Sequence, residues 1–380
     1  MMKLLIIYHS GLADDSKYIF REYAKQGVDL TVIVPKKNGS LVYSESQNEK
    51  SFRYIALKFK ASFNIFELFF AIKKVKPDVI HVIDEYTSLS LFEAILCRNL
   101  LYGKKVPIFS LSFQNLPLNN PPLVFNSPIA FLRRIFHKIL IPIMINYHRG
   151  NLSGVICGNK DAIKIISELS NKIPTKLIYW GVNISSFSPK NKLDCRAKLK
   201  LPQNTRLIGY FGKIYKEKGL ERLVRATSQL SNTNLVLVGN GDYRKDLENL
   251  VDELGIKERV YFYDFAKLND LVDYYNALDT YILPTYTTKD VKEQYGRVLV
   301  EAMACRVSVV GSTCGEIKEI LKGYPAHFIF DEYSLSDLVD KIKKIETLKL
   351  PEEFNVNEFL KKFSVENFVS ESIKFYKNVT

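Results

Sequence analysis

The chain has 380 residues, of which 47% are hydrophobic and 25% charged, and its formal net charge is +13. This length exceeds what one hydrophobic core usually supports, so two domains are expected and a mini-protein scaffold is excluded. The high hydrophobic fraction excludes a disordered chain. No run approaches the roughly 20 apolar residues that span a bilayer, and the five cysteines are scattered without a C-x-x-C pair. The composition therefore predicts a globular, cytoplasmic, non-integral protein with reduced thiols.

In the first half of the chain, short runs rich in Val, Ile, Leu and Tyr alternate with helix-periodic stretches such as Phe63 to Lys74. Continuous apolar strands separated by helices are typical of a parallel sheet covered on both faces. The predicted strands are Lys3–Tyr8, Asp29–Pro35, Asp78–Asp84, Val106–Ser112, Gly154–Gly158 and Lys176–Trp180.

The same alternation restarts in the second half, after a connection over residues 181–201 that contains Gly181 and Pro189. We therefore predict a first domain over residues 1–185 and a second over residues 186–363. Ligands of open α/β sheets bind beyond the carboxyl ends of the strands, so an interdomain cleft would suit a two-substrate reaction. The predicted strands of the second domain are Arg206–Phe211, Asn234–Val238, Val260–Tyr263, Asp279–Leu283 and Val307–Val310.

A glycine- and lysine-containing turn, Gly212 to Gly219, follows the first strand of the second domain. A glycine allows close backbone approach, lysines supply positive charge, and a helix amino terminus favours anions, so the turn suits a diphosphate. The alternative is an ordinary basic strand-to-helix turn.

Two glutamates, Glu293 and Glu301, are eight residues apart around Tyr295-Gly296. Gly296 places Glu293 in the loop before a helix and Glu301 within that helix, among apolar residues where a carboxylate needs a partner such as sugar hydroxyls. A solvated glutamate pair on an amphipathic helix is the alternative.

Four patterns occur in order along the second half: Phe211-Gly212-Lys213 with Lys218-Gly219, then Leu237 to Gly241, then Leu283-Pro284-Thr285, then Glu293 to Glu301 with Gly311 to Glu316. In this order they resemble the retaining glycosyltransferase family 4. The resemblance implies an α/β protein of the GT-B type, with two doubly wound Rossmann-like domains facing across an interdomain cleft. It also implies that the closing helix, 364–380, packs back on the first domain.

The resemblance assigns the donor site residue by residue. It implies that Glu293 and the backbone amides after it contact the donor sugar and that Glu301 contacts the nucleotide ribose. It implies that Lys213 and Lys218 hold the donor diphosphate. A glycine is more common in the family where this chain has Arg306. The expected catalytic residues are Glu293, Lys213 and Lys218. The expected donor-binding residues are Gly11, Gly212, Glu293, Gln294, Tyr295, Gly296 and Glu301.

The first domain resembles the family less. Gly11 is the single glycine where a glycine-rich loop is usual, and no histidine follows the strand Val106–Ser112, where many members carry one. Gln114 and Asn115 stand there and are candidates for binding acceptor hydroxyls. His81 is a third candidate, with a satisfied strand histidine as the alternative.

The resemblance implies a front-face displacement in which the leaving diphosphate helps to deprotonate the acceptor, so no protein nucleophile is required. Two lysines take the charge-neutralising task that metals perform in other transferases. Because no Asp-x-Asp motif stands in a plausible position, we expect no metal and no cofactor. Rival hypotheses are an inverting transferase, a nucleotide-sugar epimerase, or a non-catalytic homologue that serves as a nucleotide-sugar-binding or partner scaffold.

Between Glu93 and Asp161 the chain has eight basic residues and no acidic one, which indicates an anionic partner. Within this stretch, residues 131–140 predict a basic amphipathic helix, either at a membrane interface or in the core. We expect a UDP- or GDP-sugar donor and a glycan or lipid-linked acceptor of cell-surface polysaccharide or glycoconjugate synthesis. The protein would lie at the inner face of the cell membrane. Nucleic acid is not expected, because no recognition motif accompanies the charge.

Overall fold

The computed structural model describes residues 1–9, 14–36, 51–58, 63–116, 140–348 and 350–379, without the side chains of residues 14, 15, 36, 268 and 269. The chain divides into two compact units. Unit 1 contains Met1–Gly181 and Phe363–Thr380, and unit 2 contains Val182–Lys362. Gly11 and residues 131–139 of the predicted basic helix lie outside the described residues.

Unit 1 is built on a seven-stranded parallel sheet in the order β3-β2-β1-β4-β5-β6-β7. Strands β4 and β5 are buried along their whole length, as expected of central strands covered on both faces. The strands are β1 Lys3–Tyr8, β2 Asp29–Lys36, β3 Arg53–Lys58, β4 Val79–Ile83, β5 Ile108–Ser112, β6 Gly154–Cys157 and β7 Thr175–Leu177.

Helices cover both faces of this sheet. The carboxyl-terminal helix packs beside the first helix of unit 1, and the hydroxyls of Tyr23 and Tyr376 lie 3.0 Å apart in the core. Gly181 allows this packing, because a Cβ there would lie 2.6 Å from the Val365 Cα. The helices are α1 Asp14–Lys25, α2 Ile65–Val75, α3 Leu89–Tyr102, α4 (helical residues 140–149), α5 Lys160–Leu169 and α14 Val365–Val379.

Unit 2 has a six-stranded parallel sheet in the order β10-β9-β8-β11-β12-β13. Its strands are β8 Arg206–Phe211, β9 Thr233–Val238, β10 Val260–Tyr263, β11 Thr280–Leu283, β12 Ser308–Ser312 and β13 His327–Phe330. Its helices are α6 Lys192–Lys198, α7 Leu220–Ser228, α8 Arg244–Glu253, α9 Leu268–Ala277, α10 Arg297–Ala304, α11 Ile317–Leu321, α12 Leu335–Lys344 and α13 Val356–Leu360.

Two parallel α/β sheets are what the alternating pattern predicts, and the fold class is confirmed. Strands β3 and β13 were not predicted. Both are edge strands, and most of their residues are only half-buried or exposed, which weakens the apolar signal. Strand β7 is another edge strand, and it ends at Leu177, short of the predicted end at Trp180.

Candidate functional site

The predicted diphosphate turn begins where β8 ends in unit 2. Gly212 has φ +145°, and the Tyr210 hydroxyl donates a 2.9 Å hydrogen bond to the Lys213 carbonyl. A Cβ at Gly239 would lie 1.9 Å from the Gly212 carbonyl oxygen, and one at Gly241 would lie 2.2 Å from that of Ile214. The two glycines of the Gly239-Asn240-Gly241 pattern therefore let the β9 loop pack directly on the turn after β8.

Lys218 ends a short 3-10 helix, Lys216–Lys218, before α7. Its Nζ lies 2.9 Å from Glu293 Oε2, and the Thr285 hydroxyl donates to the same oxygen over 3.0 Å. The next residue, Gly219, has φ +70°, and a Cβ there would lie 2.0 Å from the Pro284 carbonyl oxygen. Three of the four sequence patterns thus meet around one carboxylate oxygen at the carboxyl ends of β8 and β11.

The Glu293 backbone is held by the fourth pattern. Its carbonyl accepts a 3.2 Å hydrogen bond from the Glu316 amide, and its amide donates to Cys314 Sγ over 3.3 Å. Gly315, with φ +54°, passes so close that a Cβ would lie 2.0 Å from the Glu293 carbonyl oxygen. The loop after β12 therefore fixes where the Glu293 side chain begins.

Between the two glutamates, the chain changes from loop to helix as predicted. Gly296 has φ +79° and caps α10, which starts at Arg297. Tyr295 is buried, whereas Gln294 is exposed. The left-handed backbone at Gly296 explains why this position favours glycine.

Glu301 lies in α10 and is 5% exposed. Its Oε2 accepts a 2.7 Å hydrogen bond from the Tyr275 hydroxyl, and its Oε1 lies 3.2 Å from Arg297 Nε. Burial, reinforced by the Glu301 charge, raises the pKa of Tyr275 well above its ordinary value, so this hydroxyl stays a donor. The carboxylate thus has protein partners of its own. Sequence reasoning missed both, although the i, i+4 spacing of Arg297 was a usable signal.

Lys213 differs from Lys218 in its surroundings. It is exposed, and its ammonium stands 5.7 Å from the centre of the Tyr215 ring. Within the part of the chain that the structure describes, no carboxylate lies within ion-pair distance of it. The turn after β8 therefore presents one paired and one unpaired lysine, which is a suitable environment for an anionic group.

In unit 1, His81 lies in the middle of β4 and is fully buried. Its Nδ1 is 2.7 Å from the Tyr376 hydroxyl of α14, and burial lowers the pKa of His81 to about 3. The structure places it in the core between the sheet and α14, away from the carboxyl ends of the strands. The ring is hydrogen-bonded at Nδ1, as the strand-histidine alternative predicts, but its buried Nε2 has no hydrogen-bond partner among the described residues.

The other acceptor-side candidates follow β5. The Gln114 side-chain amide donates to the Leu116 carbonyl over 2.7 Å, and Asn115 is 8% exposed. Beside them, Glu85 accepts hydrogen bonds from the Ser112 hydroxyl at 2.6 Å and the Phe113 amide at 3.0 Å.

Burial raises the pKa of the Glu85 carboxyl, against the lowering effect of its Ser112 hydrogen bond. His9 Nδ1 lies 3.5 Å from Asp84 Oδ2 at the same edge of the sheet. Sequence reasoning missed both acidic residues, although they directly follow the end of β4, where ligand-binding residues of open sheets are expected.

A known protein family matches the sequence of unit 2. Residues 191–361 match the family model Glycosyl transferases group 1. The matched stretch lies entirely within unit 2. The chain is 33% identical over 154 residues to an uncharacterized glycosyltransferase of Methanocaldococcus jannaschii, covering 39% of this chain and 38% of the relative. It is 29% identical over 174 residues to a D-inositol 3-phosphate glycosyltransferase of Mycolicibacterium smegmatis, covering 44% and 39%. The matches thus span about two fifths of the length of these relatives.

Solved structures resemble the whole chain. Sucrose-phosphate synthase from Thermosynechococcus elongatus aligns with a TM-score of 0.75 at 20% identity, over 100% of this chain and 99% of the other. HepE from Anabaena, in complex with UDP, aligns with a TM-score of 0.77 at 18% identity, over 99% and 100%. At these identities the likeness establishes the fold, which is GT-B. Among the described residues, no helix has the length and hydropathy needed to cross a bilayer.

Proposed function

We propose that the chain is a retaining glycosyltransferase that takes a sugar from a UDP- or GDP-sugar without a metal ion. The observation that carries the proposal is the arrangement of Lys213, Lys218 and Glu293 at the carboxyl end of the unit 2 sheet. Lys218 Nζ and Glu293 Oε2 are 2.9 Å apart, and Lys213 is exposed in the same turn after β8. The match of residues 191–361 to the glycosyl transferases group 1 model supports this reading.

In the proposed reaction, the acceptor hydroxyl oxygen forms a bond to the anomeric carbon while the bond from that carbon to the diphosphate breaks. The hydroxyl proton passes to a leaving diphosphate oxygen on the same face, which accounts for retention. Lys213 and Lys218 stabilise the negative charge that grows on the diphosphate. Glu293, held by Thr285 and Lys218, accepts hydrogen bonds from sugar hydroxyls, and Glu301 contacts the ribose.

The donor and the acceptor are proposed from what similar proteins bind or are named for. HepE has been solved with UDP, with UDP and glucose, and with UDP-glucose, which favours a UDP-sugar as the first donor to test. The M. smegmatis relative is named for D-inositol 3-phosphate, so a phosphorylated polyol joins glycans and lipid-linked sugars among acceptors to screen. We favour a glycan or lipid-linked acceptor of cell-surface polysaccharide or glycoconjugate synthesis. The basic sequence between Glu93 and Asp161 suits work at the cytoplasmic membrane face.

The first experiment is a thermal-shift screen of UDP- and GDP-sugars in EDTA. We expect one donor to raise the unfolding temperature of the wild type, with the shift lost in Lys218→Ala and reduced in Glu301→Gln. Lys216→Ala is the matched control, because it removes a lysine from the same 3-10 helix without touching the Lys218–Glu293 pair. Anomeric NMR of the product then tests retention. No shift with any donor, or a shift only after adding a divalent metal, would contradict the proposal.

A second candidate is a non-catalytic scaffold that binds a nucleotide sugar. It is favoured by Gln114, whose side-chain amide is bonded to the Leu116 carbonyl at the position where family members often carry a histidine. This candidate requires donor binding without transfer or hydrolysis across a broad acceptor panel. Transfer to any acceptor would eliminate it.

A further inference from the structure

Two phenylalanines on α2 of unit 1 lie largely in solvent. Phe66 is 74% exposed and Phe70 is 63% exposed, and their spacing of four residues places them on one stripe of the helix. The opposite face of α2 already supplies the core, through Leu68, Ala71 and Ile72. The Phe70 ring packs edge-to-face on Phe69, with ring centres 5.6 Å apart, but most of the Phe66 and Phe70 side chains remains in solvent, which marks a contact surface.

Helix α3 runs beside α2 in the same direction. Cys97 Sγ lies 3.7 Å from the Ile65 carbonyl, and the Tyr102 hydroxyl donates to the Ile72 carbonyl over 3.3 Å. On α3, Leu100 is 69% exposed. We call the solvent-facing side of these two helices the α2–α3 face.

Lysines gather at one end of this face. Lys73 and Lys74 continue the Phe66–Phe70 stripe, Lys76 caps α2, and Lys104 and Lys105 follow α3 directly. All five are exposed, and none forms an ion pair within the described residues.

The neighbouring acidic side chains are engaged elsewhere. The Glu67 carboxylate accepts the Lys58 amide at 2.9 Å, and Asp78 accepts the Lys3 amide at 2.8 Å. The α2–α3 face therefore combines exposed apolar side chains with five lysines that outnumber these two carboxylates and form no ion pair with them.

We propose that the α2–α3 face docks unit 1 on an anionic lipid bilayer. Phe66, Phe70 and Leu100 enter the boundary between head groups and acyl chains, and the lysine ammonium groups contact lipid phosphates. A second copy of the chain is a poorer occupant, because it would add five more unpaired lysines to the interface and no excess of negative charge to balance them. This inference rests on the proposed membrane-side function, and it uses none of the residues of the predicted basic helix, 131–140.

Cosedimentation of the full chain tests the proposal, with phosphatidylcholine vesicles and with equimolar phosphatidylcholine and phosphatidylglycerol. We expect binding to the anionic vesicles, about tenfold weaker for Phe66→Ser/Phe70→Ser. Lys73→Gln/Lys74→Gln should weaken binding by about tenfold as well, and added salt should weaken it further. Leu193→Ser is the matched control, because Leu193 is an apolar residue of unit 2 that is 56% exposed. We expect this variant to bind vesicles as the wild type does.

Donor-induced thermal shift, measured on the same proteins, separates this inference from the proposed activity. We expect both double variants to keep the wild-type shift, which shows that they are folded. Donor binding without vesicle binding, or vesicle binding unaffected by both double variants, overturns the docking surface alone. A concentration-dependent mass in solution that Phe66→Ser/Phe70→Ser abolishes would identify a second copy as the occupant and also overturn it.

Discussion

The two units differ in where their charged, histidine and aromatic side chains lie. In unit 2, charged residues meet at the carboxyl ends of the strands, where Lys218, Thr285 and Glu293 share one oxygen. In unit 1, two histidines are fully buried in the core, while Phe66 and Phe70 lie in solvent. Unit 2 thus joins three of its sequence patterns at one carboxylate, whereas unit 1 adds buried neutral histidines and an exposed aromatic pair to the polar residues at its strand ends. Four measurements test whether the two units differ in this way.

The largest effect is expected from Lys218→Ala. Removing one positive charge that stabilises a leaving diphosphate should lower kcat/KM by about 10²- to 10³-fold. The Glu293 carboxylate, which is 13% exposed, has two side-chain partners, Lys218 and Thr285. The substitution removes the first and leaves the Thr285 hydroxyl. Steady-state kinetics with the donor found by thermal shift measure the loss. Lys216→Ala should stay within about twofold of the wild type, because an exposed lysine outside the pair adds little. Equal losses in both variants would remove Lys218 from the site.

Gly239→Ala should cost unit 2 about 3 kcal/mol of unfolding free energy. The added Cβ would lie 1.9 Å from the Gly212 carbonyl oxygen, and the backbone has φ +145° there. Urea unfolding followed by far-UV circular dichroism measures the change. Gly255→Ala is the control: φ is +64° but no atom lies within 4 Å of a Cβ, so only the smaller backbone penalty of about 1 kcal/mol applies. Equal costs at both positions would show that loop packing at Gly239 is unimportant.

These first two predictions concern residues that belong to patterns recognised in the sequence. The glycine patterns and the Glu293–Glu301 spacing could be interpreted from the sequence, because the backbone conformations that they require depend on neighbouring residues in the chain. The Lys218–Glu293 contact joins residues 75 positions apart and was not predicted; only the family resemblance assigned both residues to one site. Tyr275, the partner of Glu301, belongs to α9 and follows no pattern. In unit 1, Glu85 and Asp84 were missed because their neighbours Ser112 and His9 come from other strands, and only the tertiary fold brings them together.

Acid should destabilise unit 1 through its buried histidines. Burial lowers the pKa of His81 to about 3 and that of His148 to about 4, from 6.5 in an unfolded chain. The folded state keeps both neutral, so the unfolded state binds more protons and stability falls as pH drops below about 6.5. Between pH 7 and pH 5 the loss is about 2 kcal/mol for each histidine.

The single tryptophan, Trp180, reports on this unit, since its ring packs 5.1 Å from that of Phe368. Urea unfolding followed by its fluorescence at several pH values gives the slope. His81→Asn should make that slope shallower, because one titrating group is gone. A slope that is unchanged by His81→Asn would mean that His81 does not titrate on unfolding.

The smallest effect concerns the turn between α10 and β12, where Arg306 has φ +58°. The left-handed conformation costs a residue with a Cβ about 1 kcal/mol, and the Arg306 guanidinium gains only a 3.4 Å contact to the Pro351 carbonyl. Arg306→Gly should therefore stabilise unit 2 by up to about 1 kcal/mol in urea unfolding, whereas Lys245→Gly within α8 should destabilise it by a similar amount. A stabilising Arg306→Gly would account for the glycine that the family resemblance leads us to expect at this position. If Arg306→Gly instead lowers stability, the arginine contributes a contact in solution that outweighs the backbone cost, and the departure from the family pattern is an adaptation of unit 2 rather than a tolerated strain.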